Sequence, residues 1–304
     1  MQEVIVIGHK NPDTDSVVSA YVWSKLLSRL GDKAKPAIAG EVNKETKLVF
    51  ERAEIDLPQK EDLEGKDLFL VDHNEVGQMA GDSEKVIGIL DHHNLSDFST
   101  DRPIYFRNEP VGSTSSLIAR VASEREIDLE EEEIFLLLCG IISDTLKFNS
   151  PTTTDYDKEL AGDLADIIDV DIDKLAEEMF EAKSDLSDMT IKEVIEADYK
   201  DYEFGKKTVG VGVAEVATIS FFEGKTDQII EEMKKIKKDQ GLDHLLFGVI
   251  DILNKNTFLY VCDQEDKELA KKVFQVKVGD LPIKLEGVAS RKKQIIPPLS
   301  KVLK

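Results

Sequence analysis

Three short apolar runs, residues 4–7, 68–71 and 86–90, lead straight into acidic or imidazole side chains. The first is followed by Gly8-His9-Lys10-Asn11-Pro12-Asp13-Thr14-Asp15-Ser16, the second by Asp72-His73 and the third by Asp91-His92-His93. Apolar runs this short, bounded by polar or glycine residues, read as buried strands. Residues 16–30, 113–123, 130–144 and 155–168 instead read as helices, with Gly31 stopping the first. Strands alternating with helices predict a parallel α/β sheet covered on both faces. Parallel pairing carries all three strand ends to one rim, where ligands of open parallel sheets bind.

After an acidic helical stretch at 173–197, with 183–190 as the linker, the pattern changes. Residues 199–204 and 208–216 alternate as strands, 226–239 are an amphipathic helix, and 244–253 and 257–262 are strands again. Asn254-Lys255-Asn256 joins the last two through a tight connection. The expectation is α/β throughout: a mainly parallel domain over 1–186 and a smaller α/β domain over 187–304. Residues 104–106 read as one more strand and 35–39 as an edge strand. The acidic run 128–133 lies at a helix start, where carboxylates meet the positive end of the dipole. The lysine run 234–238 reads as a solvated helix face.

Charge narrows the function. There are 61 Asp and Glu against 39 Lys and Arg, a formal net charge of −22. Such a surface repels phosphodiester backbones and anionic lipid, so neither nucleic acid nor membrane is expected as a partner. The longest apolar run, 134–142, is far short of the roughly 20 residues of a membrane span, and no secretory leader is visible. Cys139 and Cys262 both sit in apolar runs, which excludes a disulfide framework and points to a reducing cytoplasm.

The ionisable residues then gather into a pattern. His9, Asp13 and Asp15 place an imidazole and two carboxylates within seven residues, with Lys10 as the one local cation. They would repel one another unless a positive charge sat among them. Taken alone, Asp13 or Asp15 reads equally well as a helix cap, with Pro12 shaping the turn. Asp72 and Asp91-His92-His93 occupy the same position after their own strands. Asp144 ends an apolar helix, at the negative end of its dipole, and needs either a metal or a lysine such as Lys147 to neutralise it. Imidazoles and carboxylates without thiolate suit Mn²⁺, Co²⁺, Fe²⁺ or Mg²⁺ better than structural zinc. The six groups His9, Asp13, Asp15, Asp72, His92 and Asp144 are too many for one ion with open positions. Two ions sharing a carboxylate are the simpler count, and such pairs serve phosphoryl hydrolysis. Far along the chain, Ser290-Arg291-Lys292-Lys293-Gln294 is out of character with the acidic whole and reads as an anion clamp.

With these segments assembled, the sequence resembles the family II inorganic pyrophosphatases of the DHH phosphoesterase superfamily. Further matching segments are Val71-Asp72-His73-Asn74-Glu75, Glu109-Pro110-Val111-Gly112-Ser113-Thr114 and Ser143-Asp144-Thr145. The Asp-His-His triplet reaches only the superfamily; the first and last segments together point to the family. The resemblance implies that His9, Asp13 and Asp72 hold one metal and Asp15, Asp72, His92 and Asp144 the other, with Asp72 bridging. It implies that Asp91 orients a ligand, that His93 faces the substrate, and that Lys200, Arg291 and Lys292 grip the pyrophosphate, with Lys206 and Lys207 as rivals of Lys200. The active site would lie in the cleft between the two domains, which close on substrate and open to release product. Two Mn²⁺ (or Co²⁺) per subunit, a Mg²⁺ arriving with the substrate, and a homodimer are also implied.

Two departures stand out. A Gln-Val-Asn-Thr stretch common in the family reads Glu215-Val216-Ala217-Thr218 here, so its polar contact is not carried over. The chain is also too short for the regulatory nucleotide-binding insert of some relatives. Hydrolysis of pyrophosphate to two orthophosphates is thus the expected activity. The alternatives are a short-chain polyphosphatase or another DHH phosphoesterase, although the Gly-Gly-Gly-His segment of the nucleic-acid and nucleotide relatives is absent.

Overall fold

The computed structural model describes residues 3–277 and 279–303; the expected domain ends at 1 and 304 lie outside them. The chain divides into two compact units, Met1–Ala182 and Lys183–Lys304.

The first unit contains β1 (Glu3–Ile7), α1 (Thr14–Arg29), β2 (Lys33–Ala37), α2 (Lys44–Arg52), β3 (Asp67–Val71), β4 (Val86–Asp91) and β5 (Tyr105–Asn108). Four helices follow: α3 (Thr114–Glu124), α4 (Glu131–Asp144), α5 (Asp155–Ile167) and α6 (Ile172–Lys183). The strands pair in parallel in the order β2-β1-β3-β4-β5. Because side chains alternate along a strand, Ile5, Ile7, Leu68, Leu70 and Ile89 share one face. Leu63, Ala80, Phe98 and Ile104, from the connecting segments, pack against it. Helix α1 covers the other face, where its Trp23 ring lies 5.3 Å from that of Phe69. The two faces are therefore closed by different means, helix on one and connecting chain on the other.

β1 ends at a tight approach to the start of α1. A Cβ on Gly8 would fall 1.8 Å from Ser16 Oγ, so only glycine lets the chain turn here. His9 N then donates to that same hydroxyl at 3.2 Å.

The second unit comprises α7 (Ile191–Glu196), β6 (Tyr199–Phe204), β7 (Lys207–Val216), α8 (Thr226–Asp239), β8 (His244–Asp251), β9 (Asn256–Val261), α9 (Gln264–Phe274), β10 (Ile283–Glu286) and α10 (Ile296–Leu303). Its sheet runs β10-β9-β8-β7-β6 and is antiparallel except for the parallel β7–β8 pair. Every residue of the central strand β8 is buried, and apolar clusters fill both faces. Asp251 receives the Asn254 backbone N–H at 2.9 Å and its side-chain amide at 2.8 Å, which shapes the tight connection into β9.

The acidic run does fill the first turn of α4, and Lys234, Lys235 and Lys238 are exposed, but one residue of each run turns inward. Glu133 is buried at the start of α4 and receives two hydrogen bonds from Arg29, at 2.8 and 2.6 Å. In α8, Lys237 turns inward to Asp263 and Asp266 at 2.6 and 2.9 Å. Helical spacing alone gives no sight of an acidic partner that arrives from α9. Among the described residues no helix is long and apolar enough to cross a membrane.

Candidate metal centre

The strand order places β3 between β1 and β4, so the residues following these three strands meet. Asp72 stands directly after β3 with φ +65°, a left-handed conformation that is costly for a residue with a Cβ. Its carboxylate divides its attention: Oδ2 lies 3.5 Å from His9 Nε2 and Oδ1 lies 3.4 Å from His92 Nε2.

On the His9 side, Asp13 Oδ2 is 3.6 Å from the same imidazole nitrogen. Asp13 is also the N-cap of α1, its Oδ1 accepting from Ser16 N at 3.0 Å. One oxygen therefore caps the helix while the other faces His9. On the His92 side, Asp144 Oδ2 lies 3.0 Å from Nε2, and Asp15 completes the group. Within each of the sets His9-Asp13-Asp72 and Asp15-His92-Asp144, one ligand atom per residue lies within 4.8 Å of the others. Lys147, the lysine alternative for Asp144, instead pairs with Asp173 at 2.6 Å.

Burial makes this charge density expensive. Asp15 is fully buried, and that burial, followed by the Asp72 and Asp144 charges, pushes its pKa well above the carboxylate range. Burial also raises Asp144. At His9, burial opposes protonation, but Asp13 and Asp72 outweigh it and push the pKa up to about 10. His92 is likewise penalised by burial, yet Asp144 and Asp72 push it up to about 12. Asp72 runs the opposite way: His9 and His92 overcome its burial and hold it below the usual carboxylate range. The shifts of Asp15, Asp144, His9 and His92 all run toward the protonated form, the direction that offsets this density of carboxylates. His92 Nε2 is buried with no aligned hydrogen-bond partner among the described residues. An unaligned imidazole nitrogen ringed by carboxylates, with no thiolate, fits a hard or borderline divalent cation.

Supporting contacts set the ring orientations. His92 Nδ1 lies 3.0 Å from Val111 O, directing Nε2 toward the carboxylates. Asp91 Oδ1 accepts from the backbone N–H groups of His92 and His93, at 2.8 and 3.1 Å, and lies 2.9 Å from His93 Nδ1. A cavity of about 480 Å³ opens over the rim, lined by His9, Asp72, His73, Asn74 and His93 among others.

Residues that strand-end reasoning does not find also shape the centre. The Asn74 side chain binds Asp91 and Asn94 O, the latter at 3.0 Å, and accepts from Ser96 N at 2.6 Å, bracing two loops together. Glu45, fully buried at the start of α2, receives the hydroxyls of Thr14 and Ser143, each at 2.8 Å. Those two residues adjoin Asp13, Asp15 and Asp144 in the chain. Asn74 falls in a matched segment that gives it no role, and Glu45 carries no local signal at all.

In the second unit, Arg291 opens a π-helical turn over Arg291–Ile295. Its guanidinium donates to Asp198 O and Asp198 Oδ1, both at 2.6 Å. Ser290 caps that turn, accepting from Lys293 N, and Gln294 braces it through Ala289 N and Gly287 O. Lys292 is exposed, as is Lys200 on β6, paired in register with Val211 of β7. Of the rivals of Lys200, Lys206 is exposed and Lys207 is paired with Asp243 at 2.6 Å. The departing stretch at 215–218 is held by Ser184 Oγ, which accepts from Ala217 N and Thr218 N at 3.0 Å each.

Comparison with known proteins matches residues 3–141 to the DHH family N-terminal domain and residues 177–302 to the DHHA2 domain. A manganese-dependent inorganic pyrophosphatase of Methanothrix thermoacetophila is 40% identical over 306 residues, covering 99% of this chain and 98% of its own. One from Methanocaldococcus jannaschii is 39% identical over 308 residues, covering 97% and 98%. Among solved structures, a Methanococcus jannaschii protein assigned to the family II inorganic pyrophosphatases aligns over 99% of both chains, at a TM-score of 0.63 and 36% identity. An exopolyphosphatase-related protein of Bacteroides fragilis shares the fold at a TM-score of 0.52 and 14% identity, covering 99% of this chain and 92% of its own.

Proposed function

The chain belongs to the manganese-dependent inorganic pyrophosphatases, hydrolases that convert pyrophosphate to two orthophosphates, and on that premise we propose how its residues divide the task. His9, Asp13 and Asp72 hold one Mn²⁺, and Asp15, Asp72, His92 and Asp144 hold a second. The observation that carries this reading is the divided carboxylate of Asp72, one oxygen toward each histidine. When bound, the metal supplies Lewis acidity that makes a water nucleophilic near neutral pH and polarises phosphoryl oxygens. Co²⁺ would suit the same donors, and a Mg²⁺ accompanies the substrate.

The protein's own part is positioning and charge. Asp91 engages His93 Nδ1, so Nε2 is the nitrogen His93 offers to the cavity. His93 donates through it to a pyrophosphate oxygen and supplies a proton to the leaving orthophosphate. Lys200, Arg291 and Lys292 hold the phosphate oxygens and meet the charge that develops on them. For Arg291 this means exchanging Asp198 for substrate. The protein works in the cytoplasm, consistent with its two buried free thiols, as a homodimer; β2 lies at a sheet edge.

The test is phosphate release from pyrophosphate, tripolyphosphate and a dinucleotide, each with Mn²⁺, Co²⁺ and Mg²⁺. Pyrophosphate with Mn²⁺ is expected to be the fastest pair. Faster turnover of tripolyphosphate would reassign the substrate to short polyphosphate chains.

A further inference from the structure

The matched segment at 109–114 has no part in the scheme above, yet it reaches the centre at several points. Val111 O lies 3.0 Å from His92 Nδ1. The first two backbone N–H groups of α3 grip Asp15: Thr114 N donates to Oδ2 at 2.7 Å and Ser115 N to Oδ1 at 3.0 Å. Thr114 Oγ1 donates to Asp72 Oδ1 at 2.8 Å. Thr114, Ser115 and Asp15 are all fully buried. One five-residue stretch therefore orients three of the four groups on the His92 side. The oxygen of Asp72 that it holds is the one facing His92, not the one facing His9.

The stretch is itself fixed from behind. Asp157 accepts from Gly112 N at 2.8 Å and from Ser116 Oγ at 2.6 Å, and Ser113 caps the helix by accepting from Ser116 N at 3.0 Å. Helix α4 makes room at Gly140, where a Cβ would stand 2.8 Å from Asp15 Oδ1 and 2.1 Å from Ser115 Oγ. A rigidly held donor set next to ligating carboxylates governs their orientation and thereby metal affinity.

We propose that Thr114 is a positioning residue for the Asp15-Asp72-His92-Asp144 metal group alone, leaving the His9-Asp13-Asp72 group to form without it. The hydroxyl donates to Oδ1, the Asp72 oxygen on the His92 side, and the stretch makes no bond to Oδ2 on the His9 side among the described residues. The inference rests on the two-ion reading above. Valine keeps the shape of threonine but cannot donate, whereas serine keeps the donor.

The test is calorimetric titration of the metal-free full chain with Mn²⁺, paired with electron paramagnetic resonance of the bound ions. The parent is expected to take up two ions in two resolved steps. In Thr114→Val one step weakens by roughly 10–100-fold, the expected cost of losing a partner that orients a ligand, and the spin coupling between ions fades at matched loading. Thr114→Ser restores both signals. Two unchanged steps in Thr114→Val overturn the inference and leave the two-ion reading standing. Equal weakening of both steps also overturns it, because general loosening is then the cause. A parent that binds a single ion overturns both. Thermal melting of the metal-free variants verifies that all are folded.

Discussion

Asp91 holds the ring of His93 in place: its Oδ1 lies 2.9 Å from His93 Nδ1, while Asn74 occupies its other oxygen. This hydrogen bond is the main cause that lifts the His93 pKa, against the opposing effect of burial. Replacing Asp91 by Asn removes the negative partner, so His93 loses its proton at a lower pH. The alkaline limb of the kcat–pH profile should then move to lower pH, with kcat reduced about 10–100-fold. An unmoved limb in Asp91→Asn would rule out His93 as the proton source.

The position of Asp72 between two histidines predicts a stoichiometry. Asp72→Asn should lower manganese uptake from two ions per chain to one or none, because the amide cannot serve as an anionic bridge. Elemental analysis of the loaded variant decides this; two intact ions would refute the bridge.

Metal uptake should displace protons. His9 and His92 are raised to about 10 and about 12 in the metal-free protein, so both are protonated at neutral pH and must lose that proton to ligate. Manganese affinity should therefore rise with pH, with proton release visible as buffer-dependent binding heat. The metal-free fold has the opposite dependence. Histidines raised above their unfolded value of about 6.5 contribute stability that is complete below that pH and is lost as pH climbs toward 10. Raising the pKa of Asp15 works in the same direction. The melting temperature of chelator-treated protein should fall between pH 6 and pH 9.

The proposed role of Arg291 is to grip substrate, separate from the proposed metal ligands. Arg291→Ala should raise KM for pyrophosphate or depress kcat by a factor of ten or more, on the order of 1.4 kcal/mol, with manganese affinity unchanged. The variant also loses the bonds to Asp198, for a stability cost of about 1 kcal/mol because Asp198 is half-exposed. Unaltered kinetics would remove the clamp.

Asp157 is buried and takes four donors: Gly112 N, Ser116 Oγ, Thr154 N and Thr154 Oγ1. Asp157→Ala strands the buried Gly112 N and Ser116 Oγ and frees the half-buried Thr154 donors, and should destabilise the fold by about 2–4 kcal/mol. Urea unfolding of the metal-free protein measures it.

How far the sequence reads toward this structure depends on how local each feature is. The strand ends at Asp72 and Asp91 are legible because an apolar run followed by a carboxylate is a pattern of neighbours in the chain. Helix α2 is not, since Val49 and Phe50 are its only buried apolar residues. Thr114 reads as an ordinary helix-start residue, and its partner Asp72 lies 42 residues away. Lys237 reads as solvated because the acids it meets, Asp263 and Asp266, belong to another helix.

The linear order of residues determined which groups would be chemically competent: imidazoles and carboxylates at the ends of short apolar strands, with cations near the end of the chain. Only the tertiary structure decided which of them stand side by side. Placing β3 between β1 and β4 puts Asp72 between His9 and His92, and docking α3 beneath them supplies donors to Asp15 and Asp72. The physical reason is that strand and helix formation follow from neighbouring residues, whereas adjacency in a sheet follows from burying apolar faces drawn from distant parts of the chain.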